Sequence, residues 1–224
     1  MEVKFTPVEQ NSKAWEQLRA GRVTASKMGV VMANYGKAFS ETAKKYAVNV
    51  AIERITGKPI ASNYSNAHMD RGHEQEPIAR ALYEDKADCF VANGGFFYTD
   101  TLGCSPDGLV YDEGEIEIKS VIAPVHYANL KRGDIDPTYK WQMWINLKMS
   151  GRKWLDFVSY SAEFPVDKQL FIHRIYPGGL VKEFAMIDER IELFEKLVIS
   201  TKETILDGDY STEAKDSEPA RKYR

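Results

Sequence analysis

Two short stretches of this 224-residue chain carry side chains that could do chemistry together. They are Gly103-Cys104-Ser105-Pro106-Asp107-Gly108-Leu109 and, after a turn, Glu117-Ile118-Lys119. Side chains two apart in a strand share a face, so Glu117 and Lys119 project into one space while Ile116 and Ile118 turn away. A hairpin turning near Glu113 brings Asp107 beside Glu117. Two carboxylates held side by side repel, and a divalent cation is the usual remedy. Oxygen ligands of this kind suit magnesium, which keeps waters and meets phosphate oxygens directly. Such an ion can bind a scissile phosphate, lower the pKa of a water and steady a departing oxygen. A lysine beside it can orient that water and neutralise charge growing in the transition state. Alone, Glu-x-Lys reads equally as an ion pair on an exposed strand, with Asp107 a turn residue. Pro-Asp followed by Glu-x-Lys across a strand, a turn and a strand is more specific, because two levels of pattern agree.

The elements that must position these residues follow from periodicity. Ser12 to Ala20 reads as a short helix, and Thr24 begins another with Met28, Val31 and Met32 at helical spacing. Ser40 or Thr42 could cap a longer helix with Tyr46, Val50 and Ile55 near one face, ended by Gly57 with Pro59 beyond. Asn63 to Asn66 reads as a polar loop. His68 or Asp70 to Tyr83 fits a helix with Ile78, Leu82 and Tyr83 inward, provided Pro77 lies in its first turn. The pattern then turns strand-like: Cys89–Thr99, Leu102–Tyr111 and Glu115–Ile122 read as an antiparallel meander, with Asp112-Glu113-Gly114 as a hairpin turn. Helices near Pro124–Arg132 and Thr138–Ser150, strands at Lys153–Tyr160 and Gln169–Tyr176, and a helix from Leu180 to Leu206 complete the chain. The fold class is α/β (α+β), a central mixed β-sheet flanked by helices. Residues 1–210 form one domain, and the charged tail 211–224 is expected to be mobile.

Composition narrows the function. With 43% hydrophobic and 28% charged residues the chain is neither disordered nor membrane-spanning, and it lacks the apolar run of a signal peptide. A soluble protein of a reducing cytoplasm is expected. Cys89 and Cys104 are too few for a disulfide framework or a four-cysteine zinc site. His68 and His73 are five apart and His126 and His173 isolated, so no histidine pair has metal-ligand spacing on a helix. The net charge of −3, taken as a total, argues against a polyanionic partner. Its distribution reverses that: Asn11 to Pro59 holds nine basic against three acidic residues, and part of the compensating acid is the candidate metal-binding set.

At this point a resemblance emerges. Asp107 with Glu117 and Lys119 resembles the signature of the PD-(D/E)xK nuclease superfamily, with its restriction-endonuclease-like core. The wider pattern resembles the lambda-exonuclease and YqaJ-type viral recombinase nucleases. It runs through Trp15-x-x-Leu18-Arg19-x-Gly21, Val23-Thr24-Ala25-Ser26, Gly72 to Tyr83, Cys104-Ser105-Pro106-Asp107-Gly108, Glu117-Ile118-Lys119 and Gln142.

The resemblance implies metal ligands Asp107, Glu117, the backbone carbonyl of Ile118 and, from the preceding helix, Glu76. Glu74 or Glu84 are alternatives to Glu76, which could itself serve as a helix N-terminal acid. A third carboxylate suits two magnesium ions, with manganese as a substitute. Arg19, Ser26, Ser105 and Gln142 match positions that hold a DNA 5′-phosphate, although Ser26 could cap a helix and Arg19 be solvated. Tyr139 and Trp141 read as core aromatics. The implied activity is a magnesium-dependent 5′-to-3′ exodeoxyribonuclease releasing 5′-mononucleotides from linear duplex DNA. Also implied are a homotrimeric ring, a single-strand annealing protein as partner, and a phage or prophage gene expressed in a bacterial host. Another nuclease of the superfamily, or an inert DNA-end-binding module, are the rivals.

Overall fold

The structure, a computed structural model, describes residues 2–60 and 67–208, with the backbone alone at 67–70. The loop expected at Asn63 to Asn66 and the tail after Ser211 lie outside the described residues. In chain order the elements are β1 (Lys4–Thr6), α1 (Lys13–Arg19), β2 (Val23–Thr24), α2 (Met28–Met32), α3 (Glu41–Thr56), α4 (Ala67–Ala87), β3 (Val91–Asn93), β4 (Phe96–Tyr98), β5 (Leu102–Cys104), β6 (Gly108–Val110), β7 (Gly114–Ser120), α5 (Ala123–Arg132), α6 (Lys140–Ser150), β8 (Trp154–Tyr160), β9 (Leu170–Ile175) and α7 (Val181–Asp207).

Side chains set the helix ends. The Ser12 hydroxyl accepts from the Trp15 amide at 3.2 Å and starts α1, and Ser40 does the same for α3 through Ala43 at 3.2 Å. Gly57, at φ +65°, ends α3 in the left-handed conformation. No helix among the described residues is long and apolar enough to cross a membrane.

The strands form two mixed sheets. The larger is ordered β3-β6-β7-β8-β9, with β7 parallel to β8 and antiparallel to β6; the smaller is ordered β1-β4-β5-β2. The expected meander is thus divided: β3 joins β6, while β4 and β5 leave for the smaller sheet. Gly94 is where the chain departs. A Cβ there would lie 1.6 Å from the Pro106 carbonyl oxygen, so only glycine lets the two backbones cross. The two-residue β2 and the three-residue β1 are too short to show a period, and periodicity does not announce them.

Three further expectations need correction. Cys89 precedes β3 rather than lying in a strand. Pro77 sits ten residues into α4, not in its first turn. It forgoes the bond to the carbonyl one turn earlier, and the helix persists because Ala79 and Tyr83, four apart, bury completely against the large sheet. That same rotation leaves Ile78 52% exposed instead of inward.

Helices cover both faces of the large sheet. Ala79 and Tyr83 of α4 pack on Ile116, Ile118 and Val158, while Met143 and Leu147 of α6 pack with Leu155, Phe157 and Ile175. Each buried Val, Leu, Ile, Met or Phe among them contributes about 1.5–3 kcal/mol. A third cluster joins α2, α3 and α7 to the small sheet through Met28, Val31, Val50, Ile187 and Phe194. With Ile116 and Ile118 committed to α4, alternation turns Glu115, Glu117 and Lys119 towards α6.

Candidate active site

Register brings the two motifs together. Gly108 pairs with Ile116, and the Asp107 amide donates to the Ile116 carbonyl at 3.0 Å, so Asp107 enters beside Glu117. One Asp107 carboxylate oxygen accepts from the Ile118 amide at 2.6 Å. Glu117, only 2% exposed, is met on every side by donors: Lys119 Nζ at 2.7 Å and Gln142 Nε2 on one oxygen, Asn146 Nδ2 at 2.9 Å on the other. A buried charge persists only when so paired. The Lys119 ammonium also lies 5.0 Å from the centre of the Tyr139 ring, a cation–π contact that fixes its direction.

Glu76 is drawn into this group from α4. Its carboxylate meets Arg80 at 3.4 Å, and Arg80 also donates to the Asp107 carbonyl. Of the alternatives, Glu74 is exposed and Glu84 accepts from the Val91 amide at 2.7 Å, away from the pair.

The electrostatics follow from burial and like charge. Burial, then the charge of Glu76, pushes the Asp107 carboxyl up to about 6. Burial, then the charge of Asp107, pushes Glu117 up to about 7. Burial likewise raises Glu76. For Lys119, burial acts to lower the ammonium, but Glu117 and Asp107 outweigh it and push it up to about 12. Lys119 is therefore a fixed cation. The surplus negative charge and the all-oxygen donor set fit a hard divalent cation. Among the described residues no three His, Cys, Asp or Glu side chains by themselves form a ready metal-holding group. The donors present are thus the Asp107–Glu117 pair, with Glu76 held towards Arg80.

Of the residues expected to hold a phosphate, Ser105 lies two residues before Asp107 and connects to Arg19 through Trp15. Arg19 stacks on the Trp15 ring, its guanidinium carbon 4.0 Å from the ring centre. Trp15 Nε1 in turn donates to the Ser105 hydroxyl at 3.1 Å, and that hydroxyl donates to the Gly95 carbonyl at 2.5 Å. Ser26 is exposed on the turn that follows β2, its hydroxyl 3.3 Å from that of Thr24, where β2 runs beside β5. Gln142 is placed differently: its amide is engaged with Glu117. The Arg19 side chain makes no hydrogen bond or ion pair among the described residues, and burial lowers its pKa. A half-buried guanidinium with idle donors is suited to an anion.

Asn146, Arg80 and Glu115 were not anticipated. The signal was present for two of them: Asn146 lies four residues after Gln142 and Arg80 four after Glu76, each on the same helical face. Cys104 is buried at 1% exposure, and burial pushes its thiol far up, leaving it inert. His126 is a satisfied core residue between Ser159, at 2.9 Å, and the Lys168 carbonyl, at 3.0 Å; His173 pairs with Asp134, and the side chain of His68 lies outside the described residues. Tyr139 and Trp141 are partly buried against the core.

Residues 14–153 match the model of the YqaJ-like viral recombinase domain. The chain belongs to this family. The matched span contains every side chain of the candidate site, from Arg19 through Gln142. No curated protein matches the chain.

Among solved structures, the alkaline exonuclease LHK-Exo from Laribacter hongkongensis is 33% identical with a TM-score of 0.76, covering 88% of this chain and 97% of its own. The same exonuclease in complex with dAMP matches equally. A phage-related exonuclease from Haemophilus somnus 129PT, 15% identical with a TM-score of 0.61 over 87% and 99% of the two chains, shares the fold. Family and fold together make this YqaJ-like chain a phage-type exonuclease of PD-(D/E)xK architecture.

Proposed function

We propose that the chain is a magnesium-dependent exodeoxyribonuclease. It degrades the 5′ strand of linear duplex DNA to 5′-mononucleotides and leaves 3′ single strands for phage-type recombination. The observation that carries this reading is the Asp107, Glu117 and Lys119 arrangement around the buried Glu117 carboxylate, with the guanidinium of Arg19 linked to the Asp107 segment through Trp15 and Ser105. The relative at 33% identity has been solved in complex with dAMP, a nucleotide of the kind this reaction releases.

Asp107, Glu117, the Ile118 carbonyl and Glu76 are the residues that would hold magnesium, or manganese in its place, and the bound ion would supply Lewis-acid chemistry at the phosphate. The chain's own residues do the rest. Lys119, pinned between Glu117 and Tyr139, keeps its proton, orients the water through an N–H donor and offsets charge accumulating on the phosphate. Gln142 and Asn146 hold Glu117 in one rotamer, and Arg80 ties Glu76 to the Asp107 backbone. Arg19, with Ser26 and Ser105, receives the 5′-terminal phosphate and so selects the strand end. The resemblance to lambda-type exonucleases extends the proposal to a ring-shaped homotrimer on DNA ends and a single-strand annealing protein as partner.

The test is linear duplex DNA labelled at either end, bearing a 5′-phosphate or a 5′-hydroxyl, incubated with magnesium or with EDTA. Expected is first release of the 5′ label as mononucleotide, only with the metal, and faster from phosphorylated ends. First release from the 3′ label, or cleavage in EDTA, would overturn it.

A further inference from the structure

Arg19 ends α1 immediately before a turn whose shape is set by residues distant in sequence. Gly21, two residues on, adopts φ +75°. Its amide donates to Glu53 Oε2 at 2.9 Å, and its carbonyl accepts from Arg54 Nε at 2.7 Å. Both backbone groups of one residue are thus gripped by adjacent side chains of α3. The fit is close, since a Cβ at Gly21 would lie 2.9 Å from the Arg54 Cγ. Arg54 is itself fixed from α7: its two terminal nitrogens meet the two oxygens of Glu195 at 2.7 and 2.9 Å, a bidentate and largely buried pair. The start of the turn is tied to α3 as well, Gln17 Nε2 donating to the Gly57 carbonyl at 2.7 Å. The neighbouring Arg22 is consumed internally by the carbonyls of Leu18 and Thr99. Of the three arginines at this turn, Arg19 is the one whose side-chain donors make no hydrogen bond or ion pair among the described residues.

We infer that Glu53, Arg54 and Glu195 form a clamp between α3 and α7 that holds the α1–β2 turn in the orientation in which Arg19 meets the 5′-terminal phosphate. They are positioning residues for end selectivity. The inference rests on the reading of Arg19 as the phosphate contact. The physical ground is that a guanidinium recognises phosphate through a planar fork, so its affinity depends on direction as well as distance. A shift of about 1 Å at such a contact costs up to about 100-fold. Glu195 also lies outside the family-matched residues 14–153, and among the described residues its hydrogen-bond link to the turn runs through Arg54.

The experiment measures kcat/KM on linear duplexes with 5′-phosphate and 5′-hydroxyl ends, and the melting temperature, for wild type, Arg19→Ala, Arg54→Lys, Glu195→Gln and the Arg19→Ala/Glu195→Gln pair. Expected is a drop of roughly tenfold or more in the phosphate-to-hydroxyl ratio for Arg54→Lys and Glu195→Gln, with the hydroxyl-ended rate falling far less. The double variant should lose no more of the ratio than Arg19→Ala alone, because both changes act through one contact. A fall of both substrates in proportion, tracking the melting temperature, would show a merely structural role and overturn the clamp. So would additive losses in the double variant. A ratio lost in Arg19→Ala but kept in both conservative variants overturns the clamp only; a ratio unchanged in Arg19→Ala overturns the phosphate assignment and the clamp with it.

Discussion

Glu115 offers a quantitative check on the electrostatics of the catalytic strand. It is fully buried on the face it shares with Glu117 and Lys119, and neither of its oxygens meets a hydrogen-bond donor at bonding geometry. Burial pushes its carboxyl up to about 8 from an ordinary 4.5, with Ser150 and Arg152 nearby offsetting only part and Glu117 adding to the rise. Between those values the folded chain keeps a proton that the unfolded chain has released. Stability therefore falls as pH rises through that window and levels off above it. At about 1.4 kcal/mol per pH unit, the cost of the carboxyl reaches ~3 kcal/mol at pH 7 and ~5 kcal/mol above pH 8. Glu115→Gln removes the titrating group and keeps its shape. Urea denaturation of metal-free protein at pH 5, 6, 7 and 8 should show the variant gaining on wild type by roughly 1 kcal/mol per pH unit, and any fixed cost of the buried amide cancels from that slope. Parallel pH profiles, or a variant that loses ground as pH rises, would refute the reasoning.

Asn146→Ala leaves one Glu117 oxygen without its donor, and titration of activity with magnesium should show apparent metal affinity or turnover reduced by about 10–100-fold. Arg190, 2% exposed, donates to the carbonyls of Val31, Ala33 and Lys37 at 2.9 Å each and stacks on Phe39, so Arg190→Ala should lower unfolding free energy by about 3 kcal/mol or more in denaturant melts. Cleavage should rise as pH passes through about 6 to 7, where Asp107 and Glu117 lose their protons and can hold a cation; an initial-rate profile flat from pH 5 to 8 would contradict this.

Strand β7 was legible because its signal is local. Alternation alone sends Glu117 and Lys119 to one face and Ile116 and Ile118 to the other, and the turn at Glu113 brings Asp107 back alongside. The long helices were legible for the same reason, with Ser40 and Gly57 marking the ends of α3. What periodicity could not convey is how segments far apart share a sheet. Two-residue β2 gains its strand character from its parallel neighbour Leu102–Gly103, and the division of the meander depends on Gly94 crossing over Pro106, a contact with no local signature. The same holds for the site. Asn146, Arg80 and Glu115 become visible only when α6 and α4 are laid on the sheet, and Glu195 acts on a turn some 170 residues earlier through a single arginine.

In the proposed hydrolytic centre of Asp107, Glu117 and Lys119 the lysine acts on the reaction and not on DNA binding. Single-turnover cleavage of a 5′-phosphorylated linear duplex by Lys119→Ala, with end binding followed by fluorescence anisotropy in the same samples, tests this directly. Cleavage should fall by about 100- to 1,000-fold with end affinity unchanged. Cleavage at the wild-type rate, or a loss of binding that accounts for the whole loss of cleavage, would contradict it.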